Sequence, residues 1–227
     1  EKATRDFVSS LLDIEKPFWK NFIAFHQKVA DLGIVISLSQ VVLKLTCPGI
    51  PDLYQGCELW DLSFVDPDNR RPVDYEQRTN LLQAFHQQDN SAEDLVFRLW
   101  EDRFKGGIKL WLTHVLLKER RHQPALFSEG SYLALPVTGS GAAHILSFAR
   151  RLENNWMIVV VPLNIASMAR EQGKEPDTID WKDTSIVLPD GVPAEWKNVL
   201  TGKRIKRQKE LMLRDTFHHF PITVLIA

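Results

Sequence analysis

One polar and aromatic segment guides the interpretation of this chain. It begins with Pro48-Gly49-Ile50-Pro51-Asp52-Leu53-Tyr54-Gln55-Gly56-Cys57-Glu58-Leu59-Trp60 and continues through Asp61 to Asp66-Pro67-Asp68-Asn69-Arg70-Arg71-Pro72-Val73-Asp74-Tyr75. Long loops without regular structure are usually functional or disordered, and this segment is too aromatic to be disordered. We therefore expect it to contact a substrate.

The overall charge argues against polyanionic partners. The chain has 227 residues and a formal net charge of -1, so no global field attracts nucleic acid or anionic lipid. The most apolar run, residues 34–45, carries Ser37, Ser39, Gln40 and Lys44, so we expect no membrane span. A neutral substrate, or one bound by local charges, fits this balance.

Cysteine and histidine content favours no metal and no cofactor. Cys47 and Cys57 lack nearby histidines at zinc-ligand spacing. They could form a disulfide, but two free thiols in a reducing compartment fit better, so we expect a cytoplasmic location. His114 is expected to be a packing residue, and the pair His218-His219 to lie at a surface or interface.

Residues 1–46 show helical periodicity. Two apolar stripes repeat at helical spacing, Phe7, Val8, Leu11 and Leu12 in the first and Phe18, Phe22, Phe25 and Val29 in the second. Pro17 suits a first helical turn. Gly33 predicts a helix end or a bend. The chain starts at Glu1 inside such a pattern, so we expect it to be a piece of a longer protein.

The middle of the chain alternates a loop with helices. Residues 50–55 are short, apolar and flanked by prolines, which predicts one buried strand. Helices are predicted over 75–87, from a cap at Ser91, and over 108–121 with a basic end. Pro124 ends the last of these.

From about residue 130 the period changes to that of strands. Seven short runs of β-formers are separated by turn residues, at 131–137, 143–149, 156–163, 184–188, 196–200, 210–213 and 222–227. They predict an antiparallel β-sandwich. The polar stretch 165–183 is predicted to be an exposed insertion, and Trp156, Trp181 and Trp196 to lie in the core.

The acids of the loop have two interpretations. Asp52, Glu58, Asp61, Asp66, Asp68 and Asp74 could include a glycosidase pair. The favoured alternative is that Asp66 and Asp68 shape turns and pair with Arg70 or Arg71. Tyr54 and Trp60 could stack on sugar rings, although such aromatics more often pack in a core.

The loop carries a family resemblance. Residues 48–58 resemble the eighth-strand motif of the α-amylase superfamily, Pro-Gly-x-Pro-x-x-Tyr-x-Gly-x-Glu, with Glu58 as its last element. The continuation through residues 65–75 resembles the maltooligosyltrehalose synthases. Weaker similarity extends over 37–45, 109–121 and 130–150. Cys57 departs from the pattern, because a small polar residue such as Thr is expected there.

The resemblance implies an α+β multidomain fold. Residues 1–128 would be the C-terminal portion of a (β/α)8 barrel, mostly helical here, and residues 129–227 an all-β antiparallel sandwich. The implied reaction converts the reducing-end α-1,4 bond of a maltooligosaccharide to an α,α-1,1 bond, by a retaining mechanism with an Asp nucleophile, a Glu acid/base and a second Asp. These three carboxylates are expected upstream of Glu1, so no catalytic residue is assigned in this chain, and it should be inactive alone.

The segment is therefore expected to bind substrate rather than to react. The candidate substrate-binding residues are Tyr54, Gln55, Glu58, Asp66, Asp68, Asn69, Arg70 and Arg71. Two alternatives remain: another α-amylase-type hydrolase or glucanotransferase, and a non-catalytic carbohydrate-binding or assembly module. Surface meant for missing strands should also make this chain self-associate.

Overall fold

The structure, a computed structural model, describes residues 1–87, 91–206, 209–217 and 220–227. The predicted surface pair His218-His219 therefore lies outside the described residues. Helices occupy the chain up to residue 128, and strands begin at Ser131. In the described part of residues 1–130 there is no strand.

The first half has six α-helices within the described residues. They are α1 (Lys2–Leu11), α2 (Pro17–Thr46), α3 (Tyr75–Gln87), α4 (Ala92–Glu101), α5 (Gly107–His122) and α6 (Pro124–Ser128). Pro17 starts α2 as predicted, and the Ser91 hydroxyl accepts a hydrogen bond from the backbone N–H of Asp94, which caps α4. The helix end predicted at Gly33 is wrong, because α2 continues through this residue to Thr46. One glycine costs about 1 kcal/mol, which the packing of the following turns offsets.

Helix α2 is unusual in length and composition. It is 30 residues long and, by length and composition alone, apolar enough to cross a membrane, which the expectation from residues 34–45 did not foresee. Half of its most apolar part is buried inside the structure, however. The buried part begins at Asp31, where the helix packs on α5 and on the strands. A helix that is buried in a protein core can have the same length and composition.

The described residues form nine strands in two antiparallel sheets, as the short runs of β-formers predicted. Their bounds are β1 (Ser131–Ala134), β2 (Val137–Thr138), β3 (Ile145–Leu152), β4 (Asn155–Pro162), β5 (Ser185–Val187), β6 (Glu195–Asn198), β7 (Arg204–Lys206), β8 (Glu210–Met212) and β9 (Thr223–Ile226). The first sheet has the order β1-β3-β4-β9-β6-β7 and the second β2-β5-β8. The long β3–β4 hairpin pairs Ile145 with Pro162 and Leu152 with Asn155.

Two predictions for this half are wrong. The half is not all β, since it contains α7 (Ile165–Gln172) and the short α8 (Leu213–Thr216). The stretch 165–183 is not an exposed insertion, because Ile165, Met168 and Trp181 are buried. Ala169 and Ile179 are buried as well, and these apolar residues are spaced too irregularly among polar ones for the sequence to indicate burial.

One hydrophobic core joins the two halves. It runs from Ile34 and Leu38 of α2, through α5 and α6, to the central strands β4 and β9. Trp156, Trp181 and Trp196 all lie in it, as predicted. Packing of α2 against β4 places the C-terminal end of α2, and thus the start of the loop, against the sheet.

The buried strand predicted over residues 50–55 is absent. The backbone there is irregular, and Ile50 exposes 97% of its surface. A strand needs a paired neighbour to satisfy its N–H and C=O groups, and the described chain places none beside this segment. The apolar pattern was therefore a poor guide to burial here.

Candidate functional site

Two arginines fix the start of the loop. The Arg120 guanidinium donates to the carbonyl of Leu45 (2.8 Å) and to that of Gly49 (3.1 Å). Arg150 donates to the carbonyl of Thr46 at 3.1 Å. The last carbonyls of a helix have no intrahelical partner, so these cations both satisfy them and complement the negative end of α2.

The middle of the loop is anchored through Trp60. Its indole N–H donates to the carbonyl of Arg103 at 2.7 Å, and the Lys109 ammonium lies 5.2 Å from the ring centroid. Lys109 also donates to the carbonyl of Leu59 at 3.0 Å, and burial lowers the pKa of Lys109. Gly106 permits the approach, since a Cβ there would lie 3.1 Å from the Trp60 backbone nitrogen.

Acid–arginine pairs shape the turn that follows. Arg70 pairs with Asp66 and Arg71 with Asp68. The Asp68 carboxylate also accepts a hydrogen bond from the backbone N–H of Phe64 at 2.7 Å. This is the turn-forming interpretation of these acids, and it leaves them as cross-links of the loop rather than as a catalytic pair.

Arg78 of α3 ties the end of the loop back to residues 56–58. Its Nε donates to Glu58 (3.0 Å), its Nη1 to the carbonyl of Asp74 (2.9 Å) and its Nη2 to the carbonyl of Gly56 (2.7 Å). The sequence interpretation missed this residue. Its position four residues after Asp74, on the first turn of a predicted helix, was the available signal.

The loop encloses an open cavity of about 660 Å³. Its polar lining consists of Gln55, Asp61, Ser63, Asp68, Asn69, Arg71, Asp74 and Arg78. Trp60 and Phe64 supply aromatic surface, and Phe64 is 84% exposed. A concave site with aromatic surface and convergent polar groups is typical of small-molecule binding.

Four of the eight predicted binding residues line this cavity: Gln55, Asp68, Asn69 and Arg71. The other four do not. Tyr54 is half-exposed beside it, and the Glu58 carboxylate accepts from Arg78. Asp66 and Arg70 pair with each other on the exposed side of the turn.

Two polar groups are available for a ligand. The Oδ1 atom of Asn69 is buried and has no hydrogen-bond partner among the described residues, a costly state unless a ligand or water donates to it. Asp61 lies at the mouth, where hydrogen bonds from the side chain and backbone of Ser63 lower its pKa. The Asn69 Oδ1 atom and the Asp61 carboxylate can each accept a hydrogen bond from a sugar hydroxyl.

Metal chemistry finds no support in the described residues, which contain no group of three His, Cys, Asp or Glu able to hold an ion. The thiols of Cys47 and Cys57 are both free. The polar and aromatic lining of the cavity can bind a neutral, hydroxyl-rich ligand by hydrogen bonds and by aromatic contact.

Comparisons with known proteins identify relatives of the whole chain. No family model matches it. A protein of Mycobacterium tuberculosis, assigned by its name as a maltooligosyl trehalose synthase, is 34% identical over 190 residues, which are 84% of this chain and 20% of that protein.

Solved structures agree with this relationship. The maltooligosyltrehalose synthase of Arthrobacter ramosus superposes with a TM-score of 0.73 at 25% identity, covering 95% of this chain and 25% of its own. A second maltooligosyl trehalose synthase gives 0.67 at 26% identity, covering 100% of this chain and 26% of its own. By sequence and fold, this chain belongs to the maltooligosyltrehalose synthase family, and it spans about a fifth to a quarter of the length of the relatives it matches.

Proposed function

We propose that this chain is the C-terminal part of an intramolecular transglycosylase. The whole enzyme would convert the reducing-end α-1,4 bond of a maltooligosaccharide to an α,α-1,1 bond, in the cytoplasm, without a cofactor. Residues 1–128 would complete a (β/α)8 barrel, and residues 129–227 would form a β-sandwich beside it. In such barrels the loops after the strands build the active site, which is where the loop of residues 48–75 would lie.

The observation that carries the reaction class is the 34% identity to a maltooligosyl trehalose synthase over 84% of the chain. Sugar binding by the loop is supported by the unpartnered Asn69 oxygen in a cavity lined by polar groups. A sugar hydroxyl would donate to Asn69, and Gln55 and Asp61 would hold neighbouring hydroxyls. Trp60 and Phe64 would cover an apolar sugar face. Glu58, Asp66 and Asp68 are held by arginines, which leaves these three acids as structural groups of the loop. We propose that the catalytic carboxylates of the whole enzyme lie outside this chain.

The loop would also limit access of water. A retaining enzyme forms a covalent glycosyl intermediate, and a transglycosylase must deliver a sugar hydroxyl to it before water attacks. Expelling water from the site is the general means of doing so. The arginine cross-links of the loop would keep its wall closed.

Product analysis of the full-length enzyme tests the proposal. With maltopentaose, we expect a non-reducing isomer of the same mass, and little free glucose. Asn69→Leu should lower kcat/KM for this product by about tenfold, a loss that one buried hydrogen bond to substrate can explain. Asp68→Ala should also lower kcat/KM, because it releases the turn that Asp68 holds through Arg71 and the Phe64 N–H. Arg71→Ala should raise the free glucose. Unchanged kinetics and product ratios in these variants would contradict the assigned role of the loop.

The isolated chain of 227 residues should have no activity. Its purified form, incubated with maltopentaose, is expected to leave the reducing ends intact. Formation of non-reducing product by this chain alone would overturn the assignment of the catalytic carboxylates elsewhere.

Other α-amylase-type activities give different products. A hydrolase would release shorter reducing sugars, and a glucanotransferase a ladder of chain lengths, so the same assay separates them. A carbohydrate-binding module has less support, since Trp156, Trp181 and Trp196 are buried and offer no binding platform. Maltooligosaccharide binding to residues 129–227 would restore that alternative.

A further inference from the structure

Arg78 bridges two distant parts of the loop from a position on the adjacent helix. Its three hydrogen bonds reach the carbonyl of Gly56, the carboxylate of Glu58 and, near the end of the loop, the carbonyl of Asp74. The Arg78 side chain is only 14% exposed. Such a shielded, charge-assisted set of bonds is stronger than a surface ion pair.

Residues 56 and 73 of the loop lie close together beside Arg78. Gly56 has a φ of +84°, and a Cβ there would lie 3.2 Å from Val73 and 3.7 Å from Arg78. The backbone carbonyls of Gly56 and Asp74 therefore meet at one guanidinium. Closing a loop costs chain entropy that such a cross-link offsets.

Arginine suits this position for a geometric reason. Its planar group carries five N–H donors at fixed angles, and the three bonds use one from each nitrogen. Two donors are not used by these bonds, and Arg78 lines the cavity. A lysine ammonium is a single point charge and cannot reach all three acceptors with the same geometry.

We infer that Arg78 is a positioning residue that holds the loop wall closed over the sugar and so directs the glycosyl group to a sugar hydroxyl instead of water. This inference rests on the proposed function. In the productive step, the C1 hydroxyl of the released glucose attacks C1 of the bound glycosyl group. The bond to the enzyme carboxylate breaks, and the hydroxyl proton passes to the catalytic base. Attack by water gives free glucose and a chain shorter by one unit.

The experiment uses the full-length enzyme with Arg78→Ala and Arg78→Lys. We expect kcat for the non-reducing product to fall about ten- to a hundredfold, as for a misplaced binding wall, and the fraction of free glucose to rise several-fold. Arg78→Lys should restore little of either. The matched control is Arg204→Ala, which removes an exposed arginine 3.6 Å from Glu195 on a distant strand and should leave both quantities unchanged.

Two further measurements keep the outcome decisive. Glu58→Gln retains the shape of the partner, so the double variant with Arg78→Lys should lose less than the sum of the two single losses. Hydrogen exchange over residues 56–74 should quicken in Arg78→Ala, and it can be measured without activity. If Arg78→Ala fails to fold, Arg78→Lys and Glu58→Gln give the same readouts.

The results separate the two proposals. A wild-type enzyme that makes no non-reducing product refutes the proposed function, whereas hydrogen exchange still decides whether Arg78 holds the loop. An active wild type whose product ratio is unchanged in Arg78→Ala and Arg78→Lys overturns the inference alone. A uniform loss of kcat with an unchanged glucose fraction also overturns it, because that result indicates only a structural role.

Discussion

Residues 1–30 and residues 131–227 both carry regular apolar patterns, yet only the second region buries them. No residue before Asp31 is buried, and Phe18 and Phe25 expose 62% and 65% of their surface. In β4, by contrast, every residue after Asn155 is buried. A pattern thus tells which face is apolar, but not whether the partner of that face lies in the same chain.

The largest expected effect compares one phenylalanine from each region. Phe148 is fully buried in β3 and stacks on Tyr132 with ring centroids 4.9 Å apart. Phe148→Ala should lower the free energy of unfolding by about 3–5 kcal/mol, from lost burial and a cavity. Phe25→Ala should change it by less than about 0.5 kcal/mol. Urea denaturation measures both, and equal losses would contradict the contrast between the regions.

The next effect concerns the seam between the helices and the strands. Arg150 is 1% exposed, and its guanidinium donates to the carbonyls of Thr46, Phe127 and Gly130. Arg150→Met keeps the length but leaves these acceptors unsatisfied, so we expect a loss of about 3 kcal/mol. Its neighbour Arg151 is exposed, and Arg151→Met is the matched control with an expected loss below about 1 kcal/mol.

Thermal unfolding followed by two probes tests whether the helices and the strands unfold together. Far-ultraviolet circular dichroism follows mainly the helices, whereas tryptophan fluorescence follows the tertiary packing around Trp100 of α4 and around Trp156 and Trp196 of the strands. One coincident transition should move to lower temperature in Arg150→Met. Similar stability of the two arginine variants would mean that the buried hydrogen bonds do not join the regions.

The third prediction concerns self-association of the chain through the exposed apolar surface of α2. Phe18 and Phe22 stack with centroids 5.3 Å apart, and both lie on the open surface of α2. Such apolar surface favours association. In sedimentation velocity, the chain should form oligomers, and the triple variant Phe18→Gln, Phe22→Gln, Phe25→Gln should be monomeric.

The control for association lies outside this surface. Phe104 is 54% exposed in the short turn after α4, and Phe104→Gln should leave the oligomers intact. A chain that is monomeric before any substitution would refute the prediction.

The sequence indicated local structure better than burial. The caps at Pro17 and Ser91, the antiparallel strands and the Asp66–Arg70 pairing follow from nearby residues, and the structure has them. The buried strand at 50–55 and the helix end at Gly33 were wrong because both depend on distant partners. Arg78 escaped notice for the same reason, since its acceptor at Gly56 is distant in sequence.

The smallest effect is a pH dependence within the helical region. Burial, the neighbouring ring of His86 and the charge of Lys118 lower the pKa of His114; the two rings lie 5.2 Å apart. Because His114 binds its proton less readily when folded, the unfolded chain takes up more protons below its ordinary pKa of about 6.5. Stability should therefore fall as pH drops through that value. His114→Gln should reduce this slope, as urea titrations of the wild type and the variant at several pH values would measure. Equal acid slopes in the wild type and His114→Gln would contradict the assignment, and would mean that the α3–α5 contact does not shield this ring from solvent.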